Sequence, residues 1–175
     1  MKHLFFSTLI AFIVSGCSED LPLETVHQVD IKRYMGKWYE IASFPAWFQN
    51  NCTGTTATYS LNTDGTVNVL NRCFKKTLNG PEDTAEGSAY VVDTQTNSKL
   101  KVSFFRPFYG DYWIIDLATD YSYSIVGHPN RKYLWILSRT PHMSTQLYNT
   151  LLTKIQQKGF DISKLNKTIQ PQKAQ

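Results

Sequence analysis

The sequence predicts an all-β domain: an eight-stranded antiparallel up-and-down β-barrel with one C-terminal α-helix packed outside it. Three observations lead there. Between Trp38 and Arg139, short runs of β-branched and aromatic residues recur, separated by turn residues. Several of the runs alternate strictly between apolar and polar positions, the pattern of a strand with one wet face. After Pro141 the period changes to that of a helix.

The strands follow in order, at about 38–46, 53–62, 66–75, 85–93, 98–106, 111–118, 122–128 and 132–139. Ala57, Tyr59 and Leu61 alternate with Thr56, Thr58 and Ser60, and the run stops at Asn62-Thr-Asp-Gly65, a hairpin signal from which Val67 and Val69 begin the return strand. Leu100, Val102 and Phe104 alternate with Lys99, Lys101 and Ser103, which gives that strand an unambiguous inside. Short links between successive strands suit up-and-down closure. Leu147, Leu151, Leu152 and Ile155 recur at helical spacing, with Ser144 as N-cap and Gly159 placed to terminate. No repeat or low-complexity tract interrupts the chain.

The first residues read as an address. Met1, Lys2 and His3 precede an apolar run from Leu4 to Val14, then Ser15-Gly16 and Cys17. A basic end, a short apolar core and small residues make a secretory signal. The run is too short to cross a bilayer, which takes about 20 residues. Val14-Ser15-Gly16-Cys17 resembles the bacterial lipobox, in which the Cys receives a diacylglyceryl group on sulfur and, after cleavage, an acyl chain on its amine. Two or more acyl chains suffice for stable attachment. Residues 1–16 are therefore expected to be a signal peptide, 17–31 a lipidated N-terminus and tether, 32–169 the folded domain and 170–175 a tail. Ser18 after the lipobox points to the outer membrane.

Composition narrows the rest. One domain is expected from 175 residues, and the net charge of +4 is scattered, with nothing to suggest nucleic acid. Three Cys in an exported chain fit one lipidated thiol, Cys17, and one disulfide, Cys52–Cys73. In strict register from the Asp64-Gly65 turn, Cys73 opposes Thr56, so the bridge needs a bulge or loop fold to form. His27, His128 and His142 show no metal-ligand or nucleophile spacing, Glu40 is a lone acid, and no carboxylate pair is evident. No catalytic residue, metal or cofactor is assigned.

Gly36-Lys37-Trp38-Tyr39 resembles the G-x-W signature of the lipocalins. Thr119-Asp120-Tyr121 and Arg139 follow in the order and spacing of that family's other two motifs. Similarity extends to its bacterial outer-membrane lipoproteins through Tyr39-Glu-Ile-Ala42, Phe105-Arg-Pro-Phe-Tyr-Gly110 and Tyr133-Leu-Trp-Ile-Leu-Ser-Arg-Thr-Pro141. The resemblance implies a lipocalin calyx in which the three motifs meet at a closed base, with Arg139 lying across the indole of Trp38. The links after strands one, three, five and seven then surround the open mouth.

Parity from that base gives the expected ligand-binding residues. Leu137 and Trp135 step up the strand from Arg139, and Ala57, Tyr59, Leu100, Val102 and Phe104 join them by alternation. At the mouth, Arg106, Tyr109 and Arg131 are candidates for a phosphate or carboxylate. The resemblance implies an outer-membrane protein, lipid-anchored and facing the periplasm, that binds, stores or transports fatty acids or lysophospholipids for membrane maintenance under stress. Two other readings share the fold: an enzyme acting on a lipid substrate, which needs an activated group such as a free thiol, and an interaction protein with a filled barrel. Homodimer formation is compatible with each.

Overall fold

A computed structural model describes residues 22–173. Eight strands close into an antiparallel barrel: β1 (Gly36–Ser43), β2 (Cys52–Leu61), β3 (Val67–Lys75), β4 (Glu82–Val91), β5 (Lys99–Phe105), β6 (Phe108–Leu117), β7 (Tyr123–Gly127) and β8 (Leu134–Ser138). Each pairs with the next, and β1 returns to pair with both β8 and β2. The β2–β3 turn shows how the sequence sets these links. Gly65 takes φ +83°, Asn62 N–H donates to Thr66 O at 2.8 Å, and Asp64 Oδ1 accepts the Thr66 amide at 2.9 Å. That turn spans one residue more than expected. Leu61 faces Val67 and Thr56 faces Arg72, not Cys73.

Two apolar clusters share the barrel wall. The inner one includes Trp38, Tyr59, Val67, Val69, Leu100, Ile114, Val126 and Leu137. The outer one joins Ala42, Phe44, Ile115, Ile125, Leu134 and Ile136 to α2 (Thr145–Gln157) through Tyr148, Leu151 and Ile155. Ser144 Oγ caps α2 by accepting the Leu147 amide at 3.2 Å, and Gly159 at φ +82° ends it. Strand alternation alone lets adjacent residues serve both clusters: Ile114 points in and Ile115 out. The pairing of β6 with β7 shifts register just after this point, between Ile114 and Asp116. β1 does the same between Glu40 and Ala42.

The ends of the chain pack more closely than the sequence suggests. The described part of the expected tether runs along the wall: Val26 N–H donates to Ile114 O at 3.0 Å, Val29 N–H to Thr96 O at 2.8 Å, and Leu23 and Val29 are buried. It leads into α1 (Ile31–Tyr34), a single helical turn capped by Asp30 Oδ1, which accepts from the Lys32 and Arg33 amides. A short strand β9 (Asn166–Lys167) lies along β1 where β1 parts from β2. Gln170, expected in a tail, is buried there and its Nε2 donates at 2.8 Å to both Glu40 O and Thr55 O. Cys17 lies outside the described residues.

Candidate functional site

The closed end is assembled from the three motif segments. Trp38, the first inward residue of β1, is fully buried, and its Nε1 donates to Tyr34 O at 2.9 Å. The Arg139 guanidinium lies 3.8 Å from the indole centroid and donates to Lys37 O at 3.0 Å, Arg33 O at 2.8 Å and Tyr34 O at 3.1 Å. Gly36 has φ +94°, and a Cβ there would meet Arg139 Nη1 at 3.3 Å, so this position favours glycine. Arg33 donates to Thr119 O at 3.2 Å and stacks 4.1 Å over the Tyr121 ring. Asp30 N–H donates to the Tyr121 hydroxyl at 2.8 Å, while Asp120 Oδ1 accepts the Ser122 amide at 3.0 Å. Hydrogen bonds from the Ser122 side chain and then its amide hold the Asp120 carboxyl below its usual range. These groups tie α1 beneath the barrel and seal it. A groove of about 650 Å³ opens at this end between residues 28–32, the β2–β3 turn and Val91.

Above the seal lies an inward-facing wall. Ala57, Tyr59, Leu100, Val102, Trp135 and Leu137 belong to the one inner cluster, with Val102 and Trp135 only half-buried. Opposite Leu100 and Val102 stand Tyr112 and Gly110, and the missing side chain at Gly110 leaves room beside Val102. Phe104 is partly exposed toward the mouth, with its ring where a Cβ on Gly87 would come within 2.8 Å.

Two polar features that sequence reasoning missed face the same interior. The Tyr112 hydroxyl bonds with those of Tyr34 at 2.8 Å and Tyr59 at 3.0 Å, and Tyr34 also meets Ser124 Oγ at 2.9 Å. Burial pushes Tyr34 up to about 12 and raises Tyr59 and Tyr112 further, so all three are neutral donors in physiological conditions. Glu40 faces Leu137 across β1–β8 and is buried. Its carboxylate accepts from Ser43 Oγ at 3.1 Å, from Gln49 Nε2 and from Thr168 Oγ1. Burial raises its pKa and these donors oppose the shift. The signal was present in both cases: Glu40 is two residues beyond Trp38, and Tyr112 two before Ile114, on the same strand faces.

The mouth departs from expectation at two residues. Tyr109 packs edge-on against Tyr90 at 5.6 Å on the outer wall, because Gly110 holds the inward position next to it. Arg131, in a turn at φ +58°, donates through Nε to Lys158 O at 2.8 Å and so closes the C-terminal end of α2. Neither reaches the interior. Arg106 is exposed on the β5–β6 link. Cys52 and Cys73 are bridged, with Cα atoms 5.5 Å apart. Gly54 at φ +60° makes this possible: the β2–β3 register shifts between Thr53 and Thr56, and the bulge carries Cys52 back toward Cys73. The pair offers no thiolate for catalysis.

A family model described as a lipocalin-like domain matches residues 29–170. Temperature-induced lipocalin-1 of Arabidopsis thaliana is 46% identical over 162 residues, covering 87% of this chain and 86% of that protein. Outer membrane lipoprotein Blc of Escherichia coli is 43% identical over 164 residues, 92% of each chain. Blc of Vibrio cholerae is 37% identical, covering 91% of this chain and 94% of its own. Among solved structures, insecticyanin from the tobacco hornworm Manduca sexta superposes with a TM-score of 0.68 at 23% identity, over 86% of this chain and 85% of that one, a likeness of fold. Sealed base, inward apolar wall and outer helix thus coincide with a match along nearly the whole domain, and the chain belongs to the lipocalin family, whose members matched here are binding proteins and not enzymes.

Proposed function

We propose that this chain holds one single-chain acyl lipid, a fatty acid or lysophospholipid, inside its barrel and serves membrane maintenance under stress. It is lipid-anchored at the outer membrane, as the relatives named outer membrane lipoprotein are, with Cys17 as the anchoring residue. The observation that carries the reading is the inner wall. Ala57, Tyr59, Leu100, Val102, Trp135 and Leu137 form a single apolar surface sealed below by Trp38 and Arg139, while half-buried Val102 and Trp135 leave it accessible from the mouth.

Such a wall suits an acyl chain. Sixteen methylenes at about 0.8 kcal/mol each give roughly 13 kcal/mol gross on burial. Association and chain ordering remove several kcal/mol of this, and micromolar affinity requires about 8. Of the two arginines expected at the rim, Arg106 is the one left to meet an anionic head group, since Arg131 is engaged with α2. The tyrosine hydroxyls at the floor are bonded to one another and accommodate the tail end without demanding a charge.

Titration calorimetry of delipidated protein tests the reading. One acyl ligand should bind per barrel, more tightly as the chain lengthens, and quench Trp135 fluorescence. Trp135→Glu should suppress binding of every acyl ligand, and Arg106→Ala should weaken mainly anionic ones. Absence of saturable binding to folded, verified delipidated protein rejects the carrier in favour of a filled barrel. The anchor is tested separately: Cys17→Ser should release the protein from membranes, and persistence after high-salt and carbonate washing would overturn the assignment.

A further inference from the structure

The mouth rim carries aromatic side chains that stand largely in solvent, with only Phe48 resting on a ring below it, that of Tyr133 at 6.3 Å. Trp47 is 80% exposed and Phe48 51%, both on the 3-10 turn of the β1–β2 link. Phe105 and Phe108, 75% and 70% exposed, stack at 6.3 Å across the β5–β6 link. Both links lie at the same end of the barrel, opposite the base sealed by Arg139. Large aromatics held in solvent on two separate loops cost free energy unless something apolar covers them.

Charge at that end selects what covers them. The acids of the rim are engaged, Glu82 with Arg72 at 2.9 Å and Asp83 with Lys75 at 2.7 Å. Lys76, Arg106 and Lys132 are exposed and make no ion pair among the described residues. Aromatic tips among such cations match the boundary of a bilayer, where amphipathic rings lie at head-group depth and basic residues meet anionic lipid.

The exit of the N-terminal segment points the same way. Glu24 O accepts from Lys158 Nζ at 3.4 Å, just past the end of α2, and Leu23 is buried with Phe44 and Phe160. Phe160 abuts Gly127 at the mouth end of β7. The segment then descends past Ile114 to reach the base at Val29 and Asp30. Pro22 therefore leaves the barrel on its mouth-side half. It lies five residues along the chain from Cys17, a reach of at most about 18 Å at 3.6 Å per residue. An anchor at Cys17 holds the mouth close to the membrane and leaves the base as the far end.

From these placements we infer that the open mouth docks on the lipid surface to which the chain is anchored, with Trp47, Phe48, Phe105 and Phe108 entering the interface and Lys76, Arg106 and Lys132 contacting anionic head groups. The geometry rests on the anchor proposed at Cys17, but the docking contact itself does not need the lipid. In this arrangement a ligand passes between calyx and bilayer without crossing water.

The test uses the exported Cys17→Ser variant and sedimentation with unilamellar vesicles of phosphatidylethanolamine and phosphatidylglycerol. The soluble variant should bind reversibly, and lipids brominated on their acyl chains should quench it more than its Trp47→Phe derivative. Replacing Trp47, Phe48, Phe105 and Phe108 with Ser should weaken binding at least tenfold while leaving fatty-acid binding by calorimetry intact, which separates docking from ligand carriage. Replacing Lys76, Arg106 and Lys132 with Gln should weaken binding to phosphatidylglycerol-containing vesicles severalfold and leave binding to pure phosphatidylcholine unchanged. Leu61→Ser with Val92→Ser, at the base, should have no effect. Three results overturn the inference: no vesicle binding by the Cys17→Ser variant, equal loss from the base pair of substitutions, or self-association through the aromatic tips in place of lipid binding.

Discussion

Replacing Arg139 with Ala should be among the most damaging single changes to this fold, although the residue is only half-buried. Three carbonyls, of Arg33, Tyr34 and Lys37, accept its N–H groups, and two of these belong to the end of α1. Charge-assisted bonds to a buried guanidinium are worth up to about 3 kcal/mol each; partial solvent access reduces that to about 1. The contact with Trp38 at 3.8 Å adds about 1 more. The sum is about 4 kcal/mol, a large share of the roughly 5–15 that stabilise a domain. Arg139→Lys keeps a charge near the indole but can serve one carbonyl at a time, so it should lose about 2 kcal/mol. Urea unfolding followed by Trp fluorescence reads both, with an unchanged denaturant slope if only the native state is affected. A loss below about 1 kcal/mol for Arg139→Ala would refute the view that this side chain holds the seal.

Three further outcomes follow from the same contacts. Cys52→Ser with Cys73→Ser opens a loop of sequence separation 21 and should cost about 3 kcal/mol by chain entropy, measured by urea unfolding against the oxidised parent. Leu151→Ala, at a fully buried position under α2, should cost about 3 kcal/mol, whereas Gln156→Ala on the exposed face should change stability by less than about 0.5. Burial raises the Glu40 carboxyl above its ordinary value of 4.5, so its protonated form favours folding. That contribution is complete below 4.5 and is lost as pH rises through the folded value. The stability of wild type relative to Glu40→Gln should therefore decline with pH across this window, and a flat or rising difference in unfolding free energy would contradict it.

Much of the barrel is legible in the sequence because its signals are local. The Asn62–Gly65 turn, the alternation of Leu100 and Val102, and the Ser144 cap each depend on neighbouring residues alone. A place in a link says less. Tyr109 reads as a mouth residue from its position beside the β5–β6 link, whereas alternation back from Tyr112 through Gly110 turns it outward against Tyr90. Arg131 escapes such counting because a left-handed turn aims it at α2, a partner 27 residues away in sequence. The segment from Pro22 to Asp30 has no period to read, since its backbone docks by isolated bonds to Ile114 and Thr96. Glu40 reads as a lone acid although it shares the face of Trp38. Its partners, Gln49 and Thr168, come from a link and a terminus that no alternation could place.

The position of Gln170 bears on the order in which the barrel is completed. The carbonyls it bridges, on Glu40 and Thr55, lie 130 and 115 residues earlier in the chain. A chain made from its amino end holds those strands long before the residue that pins them together. Until residue 170 is in place, the upper seam between β1 and β2 lacks both bonds, so a chain truncated before Gln170 leaves two carbonyls without their donor and should unfold at lower urea than the full domain.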